Sequence, residues 1–299
     1  HMIENRHFRL GLQRIIDGVE GLSLIAPQRV ARATMARGHV DVELADGRRL
    51  SAALCIAADG RDSPLREARG IKTIGWSYAQ TGIVATIAHE RPHAGTAYEL
   101  FLPSGPFAIL PMTGDRSSIV WTERRDQAPA FVALDEEAFL GEVAQRFGDQ
   151  WGTLRLAGPR WSYPLSMHLA LSYIAPRFAL AGDAAHGVHP IAGQGLNLGL
   201  RDAAALAEVV IEARLLGLDI GSEAVLERYQ SWRRFDNALF TASFDALNRL
   251  FSNDIAPIAA ARRFGLDLVD SIAPLKRFFM RQAGGAGGDV PKLMRGEAI

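Results

Sequence analysis

The 299-residue chain has a single cysteine, Cys55, which excludes an internal disulfide and a cysteine zinc cluster and fits a reducing compartment. Cys55 lies in the apolar run 52–58 and reads as a small core residue rather than a nucleophile. Charge of one sign is not in excess. The 33 basic side chains are matched by 33 acidic ones, so no electrostatic footprint for nucleic acid exists. No uninterrupted apolar run is long enough to span a bilayer, there is no signal-peptide pattern, and His1-Met2 reads as a cloning scar. The chain also lacks a Gly-x-Gly-x-x-Gly turn between a strand and a helix. His186 and His189 have a spacing that a metal could use, but no carboxylate or thiol partner is specified, so no metal site is expected.

What the chain does have is Ala181-Gly182-Asp183-Ala184-Ala185-His186, followed by His189-Pro190-Ile191-Ala192-Gly193-Gln194-Gly195-Leu196-Asn197. The apolar residues 178–181 predict a strand running into a Gly-Asp turn, and the Gly-Gln-Gly predicts the start of a long Ala/Leu-rich helix. Such a segment presents one carboxylate and a row of free backbone N–H groups to a large polar ligand. The glycines allow close approach, and the helix N-terminus favours negative charge. A second turn, Asp59-Gly60-Arg61-Asp62-Ser63-Pro64-Leu65-Arg66, follows the buried run 54–58. Gly60 permits the turn, Ser63 suits an N-cap, and Asp59 could accept from backbone amides or a ribose. Taken alone, a strand-to-helix turn with an Asx cap is the lesser alternative, and it recedes further beside the downstream Gly-Asp turn.

Periodicity organises the rest. A helix is expected over 3–19, with apolar residues Ile3, Phe8, Leu12, Ile15, Ile16 and Val19. A small antiparallel meander follows over 22–26, 29–37, 39–45 and 48–57, with Asp46-Gly47 as a hairpin turn and 54–58 as its last strand. Strands are expected at 78–90, 96–102, 106–112, 117–123 and 160–172, with a helix at 135–147. From Gly195 the chain reads as helical: one helix to Leu215, a second over 222–251, a break at 253–257, then a third with apolar positions from Ile258 to Phe279. A Gly-rich stretch at 284–288 is expected to be loose. From Ala256 onward seven basic residues face four acidic ones. That excess favours either an anionic membrane surface or a solvated face of a packed helix.

The Gly182-Asp183 stretch resembles the second flavin motif of the class A flavoprotein monooxygenases, the para-hydroxybenzoate hydroxylase superfamily. The run from His189 to Asp202 is similar to the signature of the ubiquinone-biosynthesis hydroxylases within it. The segments 105–111 and 163–165 resemble that family's substrate domain, and 289–297 its last segment. The resemblance implies an α/β (α+β) fold: a truncated, Rossmann-like FAD/NAD(P)-binding domain with an inserted, mainly antiparallel sheet for substrate and C-terminal helices. The expected boundaries are 3–71 and 177–217 for the FAD domain, 72–176 for the substrate sheet and 218–299 for the helices. It implies FAD as cofactor and NAD(P)H as co-substrate. Asp183 would hold the ribityl chain, Gly193, Gln194, Gly195, Leu196 and Asn197 would lie against the flavin pyrimidine edge, Pro190 beside the ring, and Asp59 and Gly60 near the pyrophosphate.

The implied reaction is hydroxylation by O2 of a polyprenyl phenol or quinol on the way to ubiquinone. The setting would be a ubiquinone-biosynthesis assembly, cytoplasmic and peripheral at the inner membrane. Phe107, Ile109, Leu110 and His186 are candidates for the substrate pocket, although the apolar side chains suit an ordinary core equally well. No general base stands out; His186 and His189 are candidates by location. The chain begins, by resemblance, about a third of the way into a family member, and the missing glycine turn implies weak FAD binding and open apolar edges at 54–58 and 178–181. A non-catalytic lipid-binding or scaffold subunit is the alternative, and a hydroxylase for small soluble phenols a third reading.

Overall fold

The computed structural model of the chain describes residues 3–252 and 289–299, together with 269, 271–274, 276, 277 and 280. In chain order come α1 (Asn5–Ile16), the strands β1 (Val30–Met35), β2 (Val40–Leu44) and β3 (Arg49–Ala52), then β4 (Cys55–Ala57) and α2 (Pro64–Ala68). A run of strands follows: β5 (Thr73–His89), β6 (Tyr98–Leu102), β7 (Gly105–Met112) and β8 (Arg116–Arg124). Next are α3 (Ala128–Ala133), α4 (Glu136–Phe147), β9 (Leu154–Leu156), β10 (Trp161–Ala170), β11 (Ile174–Ala175), β12 (Phe178–Leu180) and β13 (His186–Gly187). Two long helices, α5 (Gly195–Leu215) and α6 (Glu223–Phe251), complete the described core. The mixed α/β class with mainly antiparallel pairing is as expected. The break at 253–257, most of the third helix and the Gly-rich stretch lie outside the described residues.

The chain forms two compact units. One holds residues up to Pro27, Ser77–Leu165 and the described residues of Asn248–Ala259; the other holds Gln28–Trp76, Ser166–Leu247 and the described residues of Ala260–Ile299. This differs from the boundaries read from sequence. Residues 3–27 group with the sheet rather than with the meander, the inserted sheet spans 77–165, and α6 up to Leu247 groups with the Gly-Asp segment. The reason is local: β5, β10 and α6 run through the boundaries without interruption, so no turn residue or change in composition marks them.

In the first unit β5, β8, β7 and β6 pair antiparallel in that order, and β9 also pairs with β5. Alternation puts Ile83, Ala85 and Ile87 of β5, Ile119 and Trp121 of β8, and Phe107 and Ile109 of β7 into one core. The register stacks them: Phe107 and Ile83 both flank Trp121, and Ile109 and Ala85 flank Ile119. The helix that covers them, α4, starts where the Asp135 carboxylate accepts from Ala138 N (2.8 Å), with Glu136 and Glu137 at its positive end and Gly148 stopping it. It buries Phe139, Val143 and Phe147, one per turn. The Arg146 guanidinium lies 4.1 Å from the Trp121 ring centroid. By contrast α1 buries none of its residues, and Ile3, Leu10, Leu12 and Ile15 are exposed; the helical spacing expected there forms a helix but not a covered face.

In the second unit β1, β2 and β3 form the expected meander, but two details differ. Residues 22–26 are not a strand, since no neighbour pairs with them, and Leu22 and Leu24 are exposed. The expected last strand, 48–57, is split. β3 stays with the meander, while β4 leaves it and pairs in parallel with β12 in a sheet of order β11-β12-β4. β12 is therefore an inner, fully buried strand rather than an open edge, while β4 lies at the edge opposite β11, with Ile56 49% exposed. The tail at 289–299 is tied down: Lys292 Nζ pairs with Glu212 on α5 (2.8 Å), and Trp232 Nε1 donates to Asp289 O (2.9 Å).

Phe139 is the fully buried side chain by which α4 packs into the first core. Phe139→Ala is expected to cost about 3–5 kcal/mol of unfolding free energy, measured by urea titration, whereas Leu10→Ala on the exposed face of α1 should cost under ~0.5 kcal/mol.

Candidate flavin site

The candidate site lies wholly within the second unit. β4 and β12 run parallel with Ala57 opposite Leu180, and Ala181 N donates to Ala57 O (3.0 Å). Their carboxyl ends are therefore level, and each runs directly into a turn containing Asp and Gly, although 123 residues separate Ala57 from Leu180 in the sequence. Ligands of α/β sheets bind beyond the carboxyl ends of parallel strands, where the loops converge.

The first turn is largely self-contained. Gly60 takes φ +89°, Ser63 caps α2 by accepting from Arg66 N (3.0 Å), and the Asp59 carboxylate accepts from Ser63 Oγ and from Leu65 N (3.2 Å). Its two arginines reach the second turn. Buried Arg66 donates to Ala184 O (2.9 Å) and to Arg61 O (2.9 Å). Arg61 donates to Ser166 O and Oγ and comes within 3.9 Å of the Asp183 carboxylate.

The second turn is held at each of its carbonyls and at its first amide. Gly182 N donates to Asp202 (3.0 Å), the Asp183 carbonyl meets His168 Nε2 (2.9 Å), and the Ala185 carbonyl accepts from Ala170 N (2.7 Å); Arg66 takes the Ala184 carbonyl between them. Gly182 needs its φ of +60°, and it faces α5 at Gly199, where a Cβ would stand 3.3 Å from the Gly182 Cα. Burial holds His168 below its ordinary pKa, opposed by its bond to the Asp183 carbonyl, so the ring is neutral at pH 7 and Nε2–H donates. What the turn leaves free is the Asp183 side chain, half-exposed, its ion pair with Arg61 loose.

Beneath it lies a buried polar cluster. Asp202 on α5, 0% exposed, accepts from Arg233 Nε (2.9 Å), Asn237 Nδ2 (3.1 Å), Gly182 N and His186 Nε2. Arg233 also pairs with Asp236 (2.8 Å) and Asn237 (2.9 Å), and the Tyr173 ring stacks on His186. Burial works against the Asp202 charge, but the bonds and charges of His186 and Arg233 outweigh it and hold the carboxyl below the usual range. His186 Nδ1 is buried and unpartnered among the described residues.

Beyond β13, His189 caps the short turn Pro190–Ala192 by accepting from Ile191 N at Nδ1 (3.1 Å), and Gly193 ends it at φ +60°. α5 then begins with no side-chain cap from Gln194, and the first intrahelical donor is Leu198 N, to Gln194 O. The N–H groups of Gly195, Leu196 and Asn197 precede that first bond.

The structure thus brings Asp59, Gly60, Gly182, Asp183, Pro190 and 193–197 into one unit, and within it joins the two acidic turns through Arg61 and Arg66. The substrate-pocket candidates do not form one surface. Phe107 and Ile109 are sealed in the core under α4. Leu110 points to the other face of β7, into a cleft of about 890 Å³ that it shares with Ile3, Ala97 and Met112. His186 is 1% exposed inside the polar cluster. Among the described residues no group of three or more His, Cys, Asp or Glu could hold a metal, and no helix is long and apolar enough to cross a membrane. Sequence reading missed Asp202, Arg233 and Asn237. The signal was there: Asp202 falls on the apolar stripe Leu198, Ala205, Val209, Ala213 of α5, and Arg233 and Asn237 continue Leu226 and Tyr229 on α6.

Residues 8–237 match the FAD binding domain family. The chain is 50% identical over 299 residues to ubiquinone hydroxylase UbiL of Rhodospirillum rubrum, covering 99% of this chain and 70% of that protein. It is 32% identical to the 3-demethoxyubiquinol 3-hydroxylase of Escherichia coli, over 95% of this chain and 72% of that one. The chain belongs to the ubiquinone-biosynthesis family of FAD-dependent hydroxylases. Among solved structures, PqsL of Pseudomonas aeruginosa, a probable FAD-dependent monooxygenase, superposes with a TM-score of 0.72 at 27% identity, over 82% of this chain and 69% of that one. As a family member the chain is an FAD-dependent monooxygenase, with NAD(P)H as the co-substrate typical of the family, and the non-catalytic scaffold alternative is not favoured.

In this hydroxylase His189 is the structural hydrogen-bonder. Burial pushes its pKa from 6.5 to about 4, only partly opposed by Asp245. The unfolded chain takes up this proton near pH 6.5 and the folded chain not until about 4, so stability is lost as the pH falls through that window. The loss is expected to approach ~3 kcal/mol, read by urea unfolding between pH 7 and 4, and His189→Asn should flatten the slope.

Proposed function

We propose that the Asp183 turn and the first turn of α5 hold the flavin of this hydroxylase, and that its substrate is a polyprenylated phenol or quinol with O2 as oxidant. The observation that carries this reading is the turn itself. Its carbonyls are all bonded from Gly182 to Ala185, and the side chain it turns outward is a half-exposed carboxylate, level with the Asp59-Gly60 turn.

The residues suit the group they would hold. Asp183 can accept from ribityl hydroxyls. The N–H groups of Gly195, Leu196 and Asn197 and the positive end of α5 suit the pyrimidine edge, where negative charge gathers on reduction. Nothing stands within 4 Å of where a Cβ would be at Gly60 or Gly193, so a ligand can approach the main chain at both. Asp59 already spends both oxygens on its own turn, so it and Gly60 would shape the backbone near the pyrophosphate, and Pro190 would stiffen the loop beside the ring. Bound FAD supplies the two-electron transfer from NAD(P)H and the activation of O2. The chain's own part is to orient the flavin, offset charge at the α5 N-terminus and keep His168 and His189 neutral.

The relatives' names support the substrate class: one is a ubiquinone hydroxylase, another a 3-demethoxyubiquinol 3-hydroxylase. The apolar floor of the Leu110–Met112 cleft offers a seat for part of a prenyl chain. A ubiquinone-biosynthesis assembly and peripheral contact with the inner membrane from the cytoplasmic side complete the reading. For the membrane contact, the basic excess after Ala256 is weakened by Lys292 and Arg295, which are paired with Glu212 and Glu297.

FAD titration of the chain, followed by flavin fluorescence, tests the assignment. Asp183→Ala is expected to raise the Kd at least about tenfold, the loss of a charge-assisted hydrogen bond. Equal affinity would refute a ribityl contact at Asp183. A panel of prenylated and short phenols, scored by NAD(P)H-coupled hydroxylation, separates the quinol reading from a hydroxylase for small soluble phenols.

A further inference from the structure

Asp202 touches no ligand in the reading above, yet it is fully buried and fully bonded. Four donors converge on it: Arg233 Nε and Asn237 Nδ2 on one oxygen, Gly182 N and His186 Nε2 on the other. An ionised carboxylate is the side chain that offers acceptors on both branches and no donor. An amide of the same shape would turn an NH2 toward two donors. The charge is balanced where it is made, because Arg233 is also 0% exposed and bonds it directly. One of the four donors, Gly182 N, opens the turn that presents Asp183, and a second, His186, lies in the strand that follows it.

We propose that Asp202 is the positioning residue of the flavin site: by accepting from Gly182 N and His186 Nε2 on one oxygen, it fixes the turn that aims the Asp183 carboxylate. The inference rests on the reading of Asp183 as a flavin contact. It assigns a role in cofactor affinity to a residue buried beneath the site, and it requires the charge at 202 rather than the shape. Since Asp202 is held below the usual carboxylate range, that role persists through mild acid. The charged and titratable groups around it are His186, Arg233, Asp236, Arg201, Tyr173 and Tyr229.

FAD titration of Asp202→Asn, His186→Leu and His186→Gln beside Asp183→Ala decides the matter. Asp202→Asn is expected to weaken FAD about tenfold. His186→Leu, which removes one donor from the shared oxygen, should weaken it about fivefold, and His186→Gln, which restores a donor, should recover most of that loss. Should Asp202→Asn fail to fold, the two His186 variants carry the same test. If Asp183→Ala weakens FAD while Asp202→Asn or His186→Leu does not, the positioning role is overturned and the flavin assignment stands. If Asp183→Ala has no effect, the flavin assignment falls, and a readout without cofactor still judges Asp202. In the free chain the Gly182 amide and His186 Nε2–H protons, bonded to a buried carboxylate, should resonate downfield in NMR spectra. Asp202→Asn must move both and Asp183→Ala neither; an unmoved Gly182 amide overturns the proposal.

Discussion

The parallel pairing of β4 with β12 is the constraint from which the candidate flavin site follows. Each strand has only three residues, too short to be stable alone, and the pair is held because both pack into the core beneath α5 and α6. Pairing Ala57 with Leu180 puts an Asp-Gly and a Gly-Asp turn side by side. Once they are side by side, Arg66 can reach from one turn to the carbonyl of the other, and Arg61 can stand near Asp183. A slip of one residue would send the inward side chains of both strands to the wrong face and separate the turns.

Below this pair the unit departs from an ordinary apolar core. The helix stripes that would bury leucines carry Asp202, Arg233 and Asn237 instead, and the cluster is tolerated because each charge meets a partner at hydrogen-bond distance. Such a cluster has one satisfied arrangement, whereas an apolar stripe can repack in several. The first unit has no such need. Its core of Ile83, Ile119, Trp121 and Phe139 is apolar, and α4 lies over a regular ladder.

Much of this was legible in the sequence. Apolar strands bounded by turns, such as β7 and β8, and a helix with a clear cap, α4, appeared within a residue or two of where the pattern put them, and Ser63 caps α2 as expected. The two Asp/Gly turns were legible because turns demand particular residues: Gly at positive φ, a small polar cap, a proline at a helix start. The split of 48–57 into β3 and β4 was not, since both halves are β-like and only a distant strand decides which sheet each joins. Nor did apolar character tell a pocket from a core at Phe107 and Ile109, for the same side chains serve both. Buried acids on helix stripes were visible, but their meaning depends on partners brought together by the fold.

The interrupted layout of the two units has a consequence for how the protein is made. Neither unit is a continuous stretch of chain, so neither can close behind the ribosome as it is synthesised. When β4 emerges, its partner β12 lies 123 residues downstream, roughly 6–25 s of further translation at ordinary elongation rates. For that interval the side of β4 that β12 will cover stays unpaired, open to a chaperone or a neighbouring nascent chain.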